Sequence, residues 1–244
     1  MNNKRTKTYS FLGGFCLLLG VSSCTPSKEI QLFDGESFSG WEGANSFFSI
    51  QEGAIVAGNL KKANLASHYL CTLKKFENFE LNLKVKLKST IELVSGGVSF
   101  RAARVPNSTE VSGYQADIGY FPARFIPIFS NKKLKDTTGI YPLWGALVDE
   151  NRTNLSRYPN PEIFPVVLLQ LVDKKWAKNV VKPNDWNELN IRAFNEQIQI
   201  KLNGQIASSF SETLKVPTTG CICLQDQIGA SHEVWYKDIT IESL

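Results

Sequence analysis

The chain has 244 residues, 43% of them hydrophobic and 11% aromatic, with 27 Lys and Arg against 23 Asp and Glu for a formal net charge of +4. This composition fits a packed globule and excludes a disordered chain. Three of the positive charges, Lys4, Arg5 and Lys7, fall in the first 23 residues beside no acidic residue. The remainder is therefore near neutral at +1, which removes the electrostatic case for nucleic acid as a partner.

The N-terminus reads as an export signal. The basic residues precede an apolar run from Phe11 to Val21, then Ser22, Ser23 and Cys24. Eleven residues are too few to cross a bilayer, which takes about 20. Val21-Ser22-Ser23-Cys24 resembles a bacterial lipobox, in which cleavage precedes the cysteine and its thiol takes up lipid. The expected organisation is a signal peptide over 1–23, a lipid-anchored tether over 24–30 and a single domain over 31–244. The expected location is the bacterial cell envelope, held to a membrane through Cys24, with the periplasmic and outer sides both open. An ordinary signal peptide followed by a chance cysteine is the alternative.

Downstream, strand signals recur. Leu32-Phe33-Asp34-Gly35 with Gly40-Trp41 suggests a first edge strand. Phe48–Gln51 and Ala54–Val56 flank Glu52-Gly53 as a hairpin. Over 79–88, Phe79, Leu81, Leu83, Val85 and Leu87 alternate with polar residues, so one face meets a core and one meets water. Gly97–Arg101, Tyr114–Ile118 and Leu189–Ala193 continue the pattern, and Gln197–Leu202 turns back into Gln205–Ala207 across Asn203-Gly204. Residues 221–224 and 234–241 close the series, with a phase shift near Asp238 that predicts a bulge. The fold class is all-β, a sandwich of two antiparallel sheets. Between 119 and 183 the rhythm stops. Seven of the ten prolines lie there, so 120–165 is expected as long loops over one sheet, and 163–178 as a short helix or a buried strand. Long ordered loops on a β scaffold are where function concentrates.

Cys71, Cys221 and Cys223 remain in the folded part. Cys221 and Cys223 share a sheet face and rarely bridge each other; Cys71 with one of them, or three buried thiols, are both open. The two histidines, His68 and His232, are far apart and no Cys-x-x-Cys occurs, which argues against structural zinc. A divalent cation such as calcium, held by carboxylates and carbonyls, stays open. No Gly-x-Ser-x-Gly and no phosphate-cradling loop is present.

Candidate site residues gather around the irregular region. Alternation puts Ser99 with Arg101, and Gln115 with Asp117, on polar faces of two neighbouring strands. An Arg beside a carboxylate under long loops suits sugar hydroxyls, although a solvated sheet face has the same pattern. Trp144 reads as a stacking platform or a core residue, and Asp149, Glu150 and Arg152 as catalytic groups or a surface ion cluster. Gln225-Asp226-Gln227 ends a strand where polar side chains reach a sandwich rim, while Trp186 and Trp235 read as core.

Leu32-Phe33-Asp34-Gly35 with Gly40-Trp41, Phe76–Leu81, Gly97–Arg101, Gly113–Ile118, Trp186-Asn187, Leu202-Asn203-Gly204 and Val234–Ile239 resemble, in order and spacing, the 3-keto-disaccharide hydrolase domain family. That resemblance implies a concanavalin A-like jelly roll and a carbohydrate partner. It also implies cleavage of 3-keto-glycosides or 3-keto-disaccharides, by removal of the C2 proton, elimination at C1 and hydration. The expected roles are Asp117 as base or metal ligand, Arg101 as clamp for the enolate or a hydroxyl, and Glu150 as acid. Ser99, Gln115, Trp144, Gln225 and Asp226 are the expected substrate contacts. Family members often carry His-Gly soon after the closing Leu-Gln, where this chain has Asp226-Gln227-Ile228-Gly229. A non-catalytic carbohydrate-binding lipoprotein is the alternative reading.

Overall fold

The computed structural model describes residues 29–43, 46–91, 93–129, 137–158 and 165–244. The segment expected as a signal peptide, Cys24 and most of the expected tether lie outside the described residues.

Two short strands, β1 (Ile30–Gln31) and β2 (Trp41–Glu42), precede the hairpin β3 (Phe48–Gln51) and β4 (Ala54–Asn59). There follow β5 (His68–Thr72), β6 (Phe79–Ser89), β7 (Ser95–Arg104) and β8 (Val111–Pro122). A 3-10 turn and the single helical turn α1 (Ile126–Phe129) lead to β9 (Ile140–Pro142), β10 (Leu147–Glu150), β11 (Val166–Gln170) and α2 (Lys174–Val180). The chain ends with β12 (Asn187–Phe194), β13 (Gln197–Leu202), β14 (Gln205–Ser211), β15 (Cys221–Asp226) and β16 (His232–Ser243).

These strands form two antiparallel sheets packed as a jelly-roll sandwich. The first runs β14-β13-β12-β6-β16-β4-β3, with β1 on β16; the second runs β11-β10-β8-β7-β15-β5-β2, with β9 on β8. Alternation on β6 buries Phe79, Leu81, Leu83, Val85 and Leu87 against Val98, Phe100, Tyr114, Ala116 and Leu224 of the second sheet. Phe79 meets Phe100 edge-on at 6.2 Å between ring centroids. The two-residue hairpin turns Glu52-Gly53 and Asn203-Gly204 have positive φ at both positions, the geometry that matches strand twist. The bulge near Asp238 is present, between Lys237 and Thr240, with Asp238 at φ 53°.

Four expectations are corrected. The first edge strand is two short pieces, one on each sheet, with Leu32–Gly35 outside both. The Pro-rich stretch is more regular than its composition suggests: β9 and β10 fall inside 120–165, because Leu147–Glu150 finds a partner on each side, β8 and β11. Residues 163–178 contain both a strand, β11, and most of a helix, α2, whose first turn is capped by Asp173 accepting from the Trp176 N–H (2.8 Å). Trp186 and Trp235 lie outside the main core, packed together with Ala54 and Val56 and crossed by Lys86 and Lys237. Cys71 and Cys223 form a disulfide joining β5 to β15, and Cys221 is free.

Candidate active site

Since inward positions of the second sheet fill the core, its intervening residues share the opposite face. Strand register sets Ser99 beside Gln115, Gln115 beside Val148, Gly97 beside Asp117 and Gln225 beside Tyr69. Glu150 pairs with Gly113 at the end of β10 and so falls on the same face. A cavity of about 200 Å³ opens there. Its polar lining is Ser95, Gln115, Asp117, Glu150 and Gln227, and its apolar wall includes Phe121, Ile126, Leu143 and Leu168. Much of the wall comes from the 119–145 region, which turns a sheet face into a pocket. A larger cleft of about 580 Å³ lies elsewhere, between Leu87, Tyr120, Trp144 and α2, and among the described residues it has no carboxylate. We therefore place the chemistry in the smaller cavity.

Four hydrogen bonds knit its floor. Ser99 Oγ donates to Gln115 Oε1 (2.8 Å), Gln115 Nε2 to Gln225 Oε1 (3.0 Å), Gln225 Nε2 to Tyr69 Oη (2.7 Å), and Tyr69 Oη to Glu150 Oε2 (3.2 Å). Gly97 makes room for this: a Cβ there would sit 2.5 Å from Gln115 Cδ, so any side chain would displace the amide.

Both carboxyls of the cavity are held above their ordinary range. Burial pushes Glu150 up to about 8, with the charge of Glu110 adding to the shift and the Tyr69 hydrogen bond opposing it. Burial also pushes Asp117 well up, reinforced by the charge of Glu150 and opposed by the Ile118 N–H, which donates to Asp117 Oδ1 (2.9 Å). Among the described residues no cation enters either balance, and burial favours the protonated form of both acids.

The structure thus gathers Asp117, Glu150, Ser99, Gln115 and Gln225, and separates three other candidates from them. Arg101 does not share the face of Ser99. A bulge between Phe100 and Ala103 puts Arg101 at φ 47° and turns its side chain away. Its guanidinium donates to Glu77 O (2.9 Å), Asn195 O (2.7 Å) and Asn78 Oδ1 (3.2 Å), stapling neighbouring strand ends while 3% exposed. Trp144 is a core residue, 2% exposed between the sheets. Asp226 faces inward, opposite to Gln225, where Asn64 Nδ2 donates to it (2.5 Å) and His232 Nε2 lies 4.0 Å away. Burial raises Asp226 to about 7. Asp149 and Arg152 form a buried ion pair (2.5 Å) joined by Arg157 and Glu212, in place of a surface cluster. Among the described residues no group of three or more His, Cys, Asp or Glu side chains is placed to hold a metal ion.

Sequence reasoning missed Tyr69 and Glu110, while Gln227, expected at the sandwich rim, does line the cavity. Tyr69 had a usable signal, since Tyr69 and Cys71 alternate with His68 and Leu70 in a short strand pattern. Its partner Glu150 is 81 residues away and adjacent only through the folded sheet.

Two predictions follow from this geometry. Arg101→Met leaves buried carbonyls without donors, so its urea midpoint should correspond to a loss of about 2–4 kcal/mol, while turnover per folded molecule is unchanged. For Glu150, the folded-state value near 8 exceeds the unfolded value near 4.5. Between those values only the folded state holds the proton, so stability is lost as pH rises through that window. Glu150→Gln should therefore gain stability over the parent at pH 8 and not at pH 4, measured by denaturant midpoints.

No curated protein sequence matches this chain. Among solved structures, a presumed glycosyl hydrolase from Parabacteroides distasonis superposes with a TM-score of 0.57 at 18% identity, over 88% of this chain and 94% of its own. A carbohydrate-binding module from Bacillus subtilis gives 0.54 at 11% identity, over 84% and 96%. At such identities both show a common fold. Residues 28–242 match the 3-keto-alpha-glucoside-1,2-lyase-like domain. That match spans nearly the whole chain and includes every strand carrying the cavity, so the protein belongs to the 3-keto-alpha-glucoside-1,2-lyase-like domain family.

Proposed function

We propose that this protein cleaves glycosides whose C3 hydroxyl has been oxidised to a ketone, and that it does so by elimination across C1–C2. The observation that carries the reading is the pair of protonatable carboxyls, Asp117 and Glu150, in one small cavity of a carbohydrate-active fold family.

A C3 ketone acidifies the hydrogen on C2. A base removes that proton and the electron pair passes into the C2–C3 enolate. As the C3 carbonyl re-forms, a C1=C2 double bond forms and the C1–O bond breaks. The departing oxygen takes a proton from an acid. Addition of water to C1 then gives the free 3-keto sugar. Such a route needs one base at C2 and one acid at the departing oxygen, of distinct readiness to ionise. The hydrogen bond from Tyr69 favours the ionised form of Glu150, and the charge of Glu150 raises Asp117. Glu150 is therefore the base and Asp117 the acid, the reverse of the roles expected from sequence. Their positions, on the same sheet face with Gln115 and Val148 between, leave room for a pyranose ring. The amides of Gln115 and Gln227 are donors in reach of ring hydroxyls and of the C3 oxygen as it gains charge. A lipid on Cys24 would hold the enzyme at the envelope. Incorporation of labelled fatty acid, abolished in Cys24→Ser, checks that.

Turnover of a chromogenic 3-keto-glucoside beside its unoxidised parent tests the function. Release is expected from the keto form alone, rising with pH as Glu150 ionises near 8. Glu150→Gln and Asp117→Asn should each lower kcat/KM by about 10²–10⁴-fold. Binding of the sugar without release from either compound would make this a carbohydrate-binding lipoprotein instead.

A further inference from the structure

The four hydrogen bonds on the cavity floor all run the same way, from Ser99 toward Glu150. That direction is a linked property. Tyr69 has one proton. When it donates to Glu150, its oxygen must accept from Gln225 Nε2. The Gln225 carbonyl then faces Gln115 Nε2, and the Gln115 carbonyl is left for the Ser99 hydroxyl. Turning the chain around requires Glu150 to carry a proton and donate it to Tyr69, with both amides flipped. An ionised Glu150 can only accept, so its charge and the polarity of the chain select each other. Aligned donors polarise one another in a low-dielectric interior, which strengthens the last bond.

We propose that Tyr69 is a positioning residue that, at the head of this chain, makes Glu150 rather than Asp117 the carboxyl that gives up its proton first. This inference rests on the reading of Glu150 as the base.

The surroundings leave Tyr69 as the group that can do this. The charged groups acting on Glu150 are Glu110, just before β8, and Asp149 on its own strand, and Asp117 lies further along β8. Glu110 and Asp149 are acids whose charges oppose ionisation. Tyr69, reaching across from β5, favours it. Tyr69 also keeps its own proton, because burial and the charges of Glu150 and Glu110 push its phenol well above the ordinary range. It is 2% exposed and does not line the cavity, so it acts on substrate only through Glu150.

The experiment is to titrate the Glu150 carboxyl by infrared difference spectroscopy, with Glu150→Gln as the blank, in the parent and in Tyr69→Phe. The same variants supply pH profiles of kcat/KM on the 3-keto-glucoside. In Tyr69→Phe the Glu150 titration and the rising limb of the profile should move together to higher pH, by about one unit for a tenfold change in ionisation, with KM nearly constant. Ser99→Ala, at the far end of the chain and least disruptive to folding, should shift both the same way by less. A purely structural Tyr69 would lower kcat at every pH without moving the limb. That outcome, or a Glu150 titration unchanged in both variants, overturns the proposal. If the carboxyl titration shifts but no form of the protein cleaves the keto-glycoside, the inference about Tyr69 stands and the assigned function falls.

Discussion

The register of β8 between β7 and β10 is the constraint on which the rest depends. With Val98 opposite Ala116 and Leu147 opposite Ala116, apolar side chains of all three strands point into the sandwich. Ser99, Gln115, Asp117, Val148 and Glu150 then emerge together on the other side. A slip of one residue would exchange the two sets, placing two carboxyls in the core and the core in the pocket. The hydrophobic effect that closes the sandwich therefore also aligns the polar groups. The Cys71–Cys223 disulfide ties together β5 and β15, the strands that carry Tyr69 and Gln225.

The site works against stability. Asp117 and Glu150 are both acids that burial pushes upward, each more easily tolerated in the unfolded chain at neutral pH. Elsewhere the protein neutralises buried charge: Asp149 and Glu212 meet Arg152 and Arg157, and Arg101 is covered by carbonyls. The contrast separates buried charges paired with arginines from the two cavity carboxyls, which have no such partner among the described residues.

The sandwich was legible because period-two alternation on β6, β12 and β13, and the Asn203-Gly204 turn, are local signals that the tertiary fold reinforces. The site was legible only where strand alternation continued, as at Ser99, Gln115, Asp117 and Gln225. Arg101 was misplaced because a bulge changes facing without leaving a mark in hydrophobic pattern. Asp226 was misplaced by one step of the pleat, and Trp144 because a core indole and a sugar platform have the same sequence signature. Strand β10 hid among prolines because its regularity comes from partners on both sides. The strand pattern around Tyr69 could place it on a strand but not in the site, because its meaning lies in a hydrogen bond to Glu150 that no local pattern encodes.

The central claim is that a proton leaves C2 before the glycosidic bond breaks. Comparing the cleavage rates of a 3-keto-glycoside carrying hydrogen at C2 and the same compound carrying deuterium there tests it most directly. The account predicts slower cleavage of the deuterated compound, with exchange of the C2 position against solvent. Equal rates with no exchange, alongside continued cleavage, would show that the C1–O bond breaks without help from C2 and would contradict it.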